Sequence, residues 1–139
     1  MEFEEAKERA VRYLVLALRT QREVENKLRK LKVNDEIIFQ VVEYLKDIGY
    51  IDDLKYVDAY LRQCISIPKY SVYEIKMKLL QKGIDKELLQ KKLSKFNSKN
   101  YEKKLVEKLL NGKLKNMEPI KQKAYLYRRG FNISDNFEM

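Results

Sequence analysis

Few side chains in this sequence could carry covalent chemistry, and their spacing narrows what that chemistry is. Asp52 and Asp53 are adjacent carboxylates, the pairing that acid–base or divalent-metal chemistry uses. No third carboxylate or lysine is spaced to complete such a site, and the chain has no histidine at all. The two aspartates fall where a helix begins. Negative charge there opposes the helix dipole favourably, so capping is their expected role. Cys64 is the only cysteine. A single thiol without imidazole excludes a Cys/His zinc site and a disulfide framework, and is expected to be a small buried hydrophobe in a reducing cytoplasm. No nucleophile–base pair, phosphate-cradling glycine loop or metal-ligand spacing is visible. Catalytic, metal and cofactor sites are therefore not expected, and neither is an enzyme.

Charge and aromatic rings remain. Thirty Lys+Arg against 21 Asp+Glu leave a net charge of +9, which attracts polyanions. Residues 1–50 carry ten basic and ten acidic side chains, residues 51–98 ten and six, and residues 99–139 ten and five. The surplus thus lies in the later two thirds of the chain. Tyr125-x-Tyr127-Arg128-Arg129 mixes rings with guanidinium groups, a chemistry suited to anionic partners. Tyr127, Arg128 and Arg129 are therefore candidate partner-binding residues. So are the basic residues around the early Thr-x-x-Glu segment, Arg19, Arg22, Lys27, Arg29 and Lys30, together with Lys78 and Lys82.

Helices must position these groups. Four glycines and two prolines leave little punctuation for a many-stranded fold. Phe3, Ala6, Ala10, Leu14, Ala17 and Leu18 recur at steps of three and four, one face of a first helix. Thr20 and Glu23 then form a capping box that opens a second, with Val24, Leu28 and Leu31 inward. Asn34 or Asp35 caps a third, with Ile38, Val41, Val42, Leu45 and Ile48 inward, and Gly49 stops it.

The pattern then repeats. Ser71-x-x-Glu74-Ile75-x-x-Lys78-Leu79 aligns on Thr20-x-x-Glu23-Val24-x-x-Lys27-Leu28, and Ile84-Asp85 falls on Val33-Asn34. The helix before this second box begins at Asp52-Asp53, carries Leu54, Val57, Leu61 and Cys64 on one side, and ends before Pro68. A fainter third copy has a Tyr101, Leu105, Leu109 stripe, a stop at Gly112 and Pro119 in the first turn of its next helix. Leu126-x-x-x-Gly130-Phe131 matches Leu79-x-x-x-Gly83-Ile84, and the residues from Asn132 leave room for a short closing helix. The expected fold is all-α: three tandem three-helix repeats, 1–49, 50–98 and 99–139, in an elongated, curved array whose last helix is shortened. Such arrays offer long surfaces rather than deep pockets. No apolar run approaches the ~18–20 residues of a membrane span, and the start of the chain is acidic where a signal peptide is basic. A soluble cytoplasmic protein is expected.

Four segments, in order, resemble the RecX family of bacterial regulators of the RecA recombinase. They are Arg19-Thr20-x-x-Glu23-Val24-x-x-Lys27-Leu28, Gly49-Tyr50-Ile51-Asp52-Asp53-x-x-Tyr56, Lys78-Leu79-x-x-Lys82-Gly83-Ile84-Asp85 and Tyr127-Arg128-Arg129-Gly130-Phe131. Lys32 stands where the family usually has a glycine, which assigns that turn to another residue. The resemblance implies a non-enzymatic modulator that lies in the groove of the RecA filament on single-stranded DNA. There it would hinder strand exchange, ATP turnover and access of repressor substrates by occupancy. A monomer without cofactors, with weak direct DNA affinity and no membrane partner, is the corresponding expectation. The alternative drawn from the residues alone is a helical protein that binds nucleic acid directly through its basic later repeats.

Overall fold

The computed structural model describes residues 1–132. Among them the chain forms eight α-helices and no strand: α1 (Phe3–Leu16), α2 (Gln21–Lys30), α3 (Asp35–Asp47), α4 (Asp53–Ser66), α5 (Val72–Gln81), α6 (Lys86–Ser94), α7 (Ser98–Asn111) and α8 (Pro119–Arg128). The protein is all-α. Its helix starts follow from local chemistry. Thr20 and Ser71 form complete capping boxes with Glu23 and Glu74. Asn34, Asp52, Asp85 and Asn97 each accept the amide three residues on. Pro119 occupies the first position of α8, where a missing N–H is harmless.

Three helices also end alike. The amides of Val33, Ile84 and Phe131 return to the carbonyls of Leu28, Leu79 and Leu126 at 3.1, 3.1 and 3.0 Å. The residue before each amide, Lys32, Gly83 or Gly130, has φ of 67°, 90° or 83°. This closure ties an apolar residue past the helix to one in its last turn, and all six of these apolar residues are buried. Lys32 itself makes the turn that the resemblance had assigned to another residue. Nothing forbids it, because a left-handed backbone strains a side chain without excluding it.

Burial is organised around two cores. α1–α3 pack mutually and enclose Ala6, Ala10, Val24, Leu28, Val41 and Leu45. The second core gathers Val57 from α4, Ile75 and Leu79 from α5, Leu89 from α6, Leu105 from α7 and Leu126 from α8. α7 and α8 therefore share the core of α4–α6. Cys64 belongs to this core, and burial pushes its thiol pKa up. Several expected core positions are on the outside: Leu18 is 52 % exposed, Leu54 47 % and Ile48 46 %. α1 ends at Leu16, so its helical spacing no longer governs Ala17 and Leu18. Helices this short bury only a narrow stripe, which leaves flanking apolar residues in solvent. The shortened closing helix expected after Asn132 falls outside the described residues. No helix among the described residues is long and apolar enough to cross a membrane.

Candidate partner-binding surface

The surface is shaped by two junctions built from the same parts. At the first, Thr20 is fully buried and its hydroxyl works twice. It accepts the Glu23 amide at 3.2 Å and donates to the carbonyl of Lys82, the residue that closes α5, at 2.6 Å. The Glu23 carboxylate accepts the Thr20 amide at 2.9 Å and pairs with Lys82 Nζ at 3.2 Å. Asp53, at the start of α4, accepts the Gln21 amide at 2.9 Å and so caps α2 from another helix. Partial burial raises the Asp53 pKa, against the opposing hydrogen bond from Gln21. Burial is the largest influence on the Lys82 charge and works against it, but the bond to Glu23 and the neighbouring Tyr56 together prevail and the Lys82 pKa is raised. Gly83 must stay bare: a Cβ there would lie 2.5 Å from Cβ of Arg22.

The second junction substitutes residue for residue. Ser71 is fully buried, accepts the Glu74 amide at 3.1 Å and donates to the Arg129 carbonyl at 2.6 Å. Arg129 grips Glu74 with two nitrogens, at 2.8 and 3.3 Å, the forked geometry that makes arginine–carboxylate pairs strong. Glu102 accepts the Val72 amide at 2.8 Å, as Asp53 does for Gln21. A Cβ on Gly130 would lie 2.7 Å from Cβ of Tyr73. Arg129 also donates to the Lys69 carbonyl and to the Tyr125 hydroxyl. The bond from Lys113 to that hydroxyl is the main reason the Tyr125 pKa is lowered.

Lys82 and Arg129, candidate partner-binding residues by sequence, are both engaged in these junctions. Arg22 is exposed as a residue, although its Cβ, Cδ and Nε lie over Gly83. Arg29 bonds to Asn26 at 3.1 Å and lies 3.8 Å from Asp35. Lys78 sits 4.5 Å from the centre of the Tyr70 ring. Lys30 and Arg128 are exposed, and Tyr127 is 72 % exposed beside Arg128. Arg19 and Lys27 converge on one ring, Tyr13, at 4.3 and 5.6 Å. Arg9 and Arg12 line the same region. Neither is among the candidates that the sequence suggests, although Arg9, Arg12, Tyr13 and Leu16 fall at helical spacing. Net charge by segment conceals them, because residues 1–50 balance to zero.

Short helices closed by one recurring turn and coupled through duplicated polar junctions define an all-α helical-repeat protein that presents surfaces. Residues 6–45 match the family model described as RecX, first three-helix domain, and residues 52–93 that for RecX, second three-helix domain. The chain belongs to the RecX family. It is 33 % identical over 141 residues to the regulatory protein RecX of Clostridium acetobutylicum, covering 94 % of this chain and 64 % of the relative. It is 31 % identical over 153 residues to that of Streptococcus mutans, covering 99 % of this chain and 59 % of the relative. The chain thus spans about three fifths of the length of these relatives. The crystal structure of RecX from Lactobacillus salivarius superposes with a TM-score of 0.81 at 28 % identity, covering 96 % of this chain and 91 % of that one.

Proposed function

We propose that this protein binds the RecA nucleoprotein filament on single-stranded DNA, lies in its groove, and lowers recombinase, ATPase and co-protease activity by occupancy. Family membership supports the regulatory role, since the relatives are named regulatory proteins. The observation that carries the steric reading is the pair of junctions. Each couples one helix group to the next through a buried hydroxyl, an ion pair and a borrowed cap, which fixes the groups against one another as steric occupancy requires. The repeats 1–49, 50–98 and 99–139 are the units of this arrangement, acting as a cytoplasmic monomer without cofactor. Its +9 charge speeds encounter with a nucleoprotein polyanion.

Steady-state ATP hydrolysis by RecA on single-stranded DNA tests this. Stoichiometric addition of the protein is expected to depress turnover and strand exchange together, with added density along the filament groove in low-resolution images. Unchanged turnover and strand exchange would overturn the reading. The exposed Tyr127–Arg128 pair favours a second reading, direct binding to nucleic acid. That reading requires tight binding to naked single strands that falls steeply with salt.

A further inference from the structure

The groove between α1 and α2 differs in chemistry from both junctions. Arg9, Arg12, Tyr13, Leu16, Lys27 and Leu31 line it: three cations, and no carboxylate. Among the described residues Arg9 and Arg12 make no ion pair or hydrogen bond, whereas Glu4 on the same helix is held by Lys7 at 3.0 Å. Arg19 adds a fourth cation over Tyr13, and its buried Nε has no hydrogen-bond partner. Two leucines complete the lining, Leu16, which is 79 % exposed, and Leu31, which is half-buried. Arg9 to Leu16 covers about two helical turns, roughly 10 Å of α1.

Two polyanions could meet such a groove, and the geometry separates them. Single-stranded nucleic acid uses open aromatic faces on which bases stack. The face of Tyr13 is already covered by the Arg19 guanidinium at 4.3 Å. A phosphate backbone also gains nothing from an exposed leucine. A helix that presents carboxylates beside apolar anchors uses the cations and the two leucines together. The geometry points to the α1–α2 groove as a docking site for an acidic amphipathic helix of a protein partner, an inference that rests on the partner's being protein, as proposed above. The groove takes about two turns of such a helix. Its cations orient the helix, and the exposed Leu16 side chain with the half-buried Leu31 meets its apolar side.

The probe is a fluorophore-labelled synthetic peptide of about four helical turns, with glutamates spaced i, i+4 and leucines along one face, titrated by anisotropy into the full chain. Saturable binding in the micromolar range is expected. Arg9→Glu with Arg12→Glu should weaken it about tenfold or more, as should Leu16→Ser, which leaves charge untouched. Lys103→Glu with Lys104→Glu, on the exposed side of α7, should leave it unchanged. All these side chains are exposed, so the circular-dichroism spectrum should not move. No binding, or equal binding to wild type and Leu16→Ser, overturns the site. So does tighter capture of a single-stranded oligonucleotide that is lost with the two arginines. The same variants on RecA filaments keep the two readings apart. Peptide binding without filament binding fells the proposed function and leaves the groove standing. Filament binding that is indifferent to all three groove substitutions overturns the groove and leaves the function standing.

Discussion

The Thr20 hydroxyl donates to the Lys82 carbonyl at 2.6 Å across 62 positions of sequence. The same oxygen accepts the Glu23 amide, so one buried group both starts α2 and ties it to the end of α5. Thr20→Val keeps the shape and removes both bonds, leaving a carbonyl and an amide unpartnered. A loss of about 2–3 kcal/mol is expected from urea unfolding followed by circular dichroism. Thr20→Ser, which keeps the hydroxyl, should lose less than about 1 kcal/mol. Equal loss in the two variants would show that the hydroxyl does not couple the helices.

Opposite signs are expected at two equivalent turns. Gly83→Ala places a methyl 2.5 Å from Arg22 Cβ at a φ of 90°, and should destabilise by more than the ~1–2 kcal/mol of left-handed strain alone. Arg22→Ala retains the offending Cβ and should not rescue it. Lys32→Gly relieves a side chain held at φ 67° and should stabilise by up to ~1 kcal/mol. Thermal midpoints of the three variants decide the matter.

Leu28 and Leu79 occupy matching places in different cores, and both are fully buried. Leu28→Ala and Leu79→Ala should each lose ~2–5 kcal/mol. Because the cores are separate, amide exchange should separate them too. Leu28→Ala should speed exchange in α1–α3 and spare α5 and α8, and Leu79→Ala should do the reverse. Uniform acceleration throughout the chain would contradict the partition.

Alkaline pH should act through the tyrosines that burial raises, Tyr56, Tyr60 and Tyr101. Burial pushes Tyr60 and Tyr101 up to about 12 from the ordinary value near 10. A group whose pKa is raised on folding contributes stability that is complete below its unfolded pKa. That contribution fades as pH climbs through the folded value. Stability should therefore decline between about pH 10 and 12. Tyrosinate absorbance should show Tyr60 and Tyr101 titrating late in the folded chain, with Tyr56, also raised by burial, late as well. Tyr101→Phe should remove a late ring and Tyr125→Phe an early one. Ten tyrosines titrating together in the folded protein would refute the assignment.

The capping-box helix starts, the turns at Gly83 and Gly130 and the buried Leu28, Leu79 and Leu126 were legible in sequence because each depends on residues within one or two turns. Asp52 and Asp53 mark where that legibility stops. Both read as caps, and both are, but Asp53 caps a helix 32 positions earlier. Nothing local distinguishes the two carboxylates, since the difference lies in how α4 meets α2. Lys82 and Arg129 were offered to a partner for the same reason: a cation's acceptor across a junction has no sequence signature. Arg9 and Arg12 had the periodicity to be found, yet summed charge averages away side chains sorted onto opposite faces.

The two cores give the protein unequal seams. No buried apolar side chain of α1–α3 joins the cluster formed by α4–α8, whereas Ile75, Leu105 and Leu126 are continuous across α5, α7 and α8. Dissolved ions shield Coulomb attraction over ~8–10 Å and leave oily contact intact. Added salt is therefore expected to weaken the Glu23–Lys82 contact beside Thr20 with no shared buried apolar cluster to compensate, whereas the Ser71 junction keeps the apolar contacts of the second core.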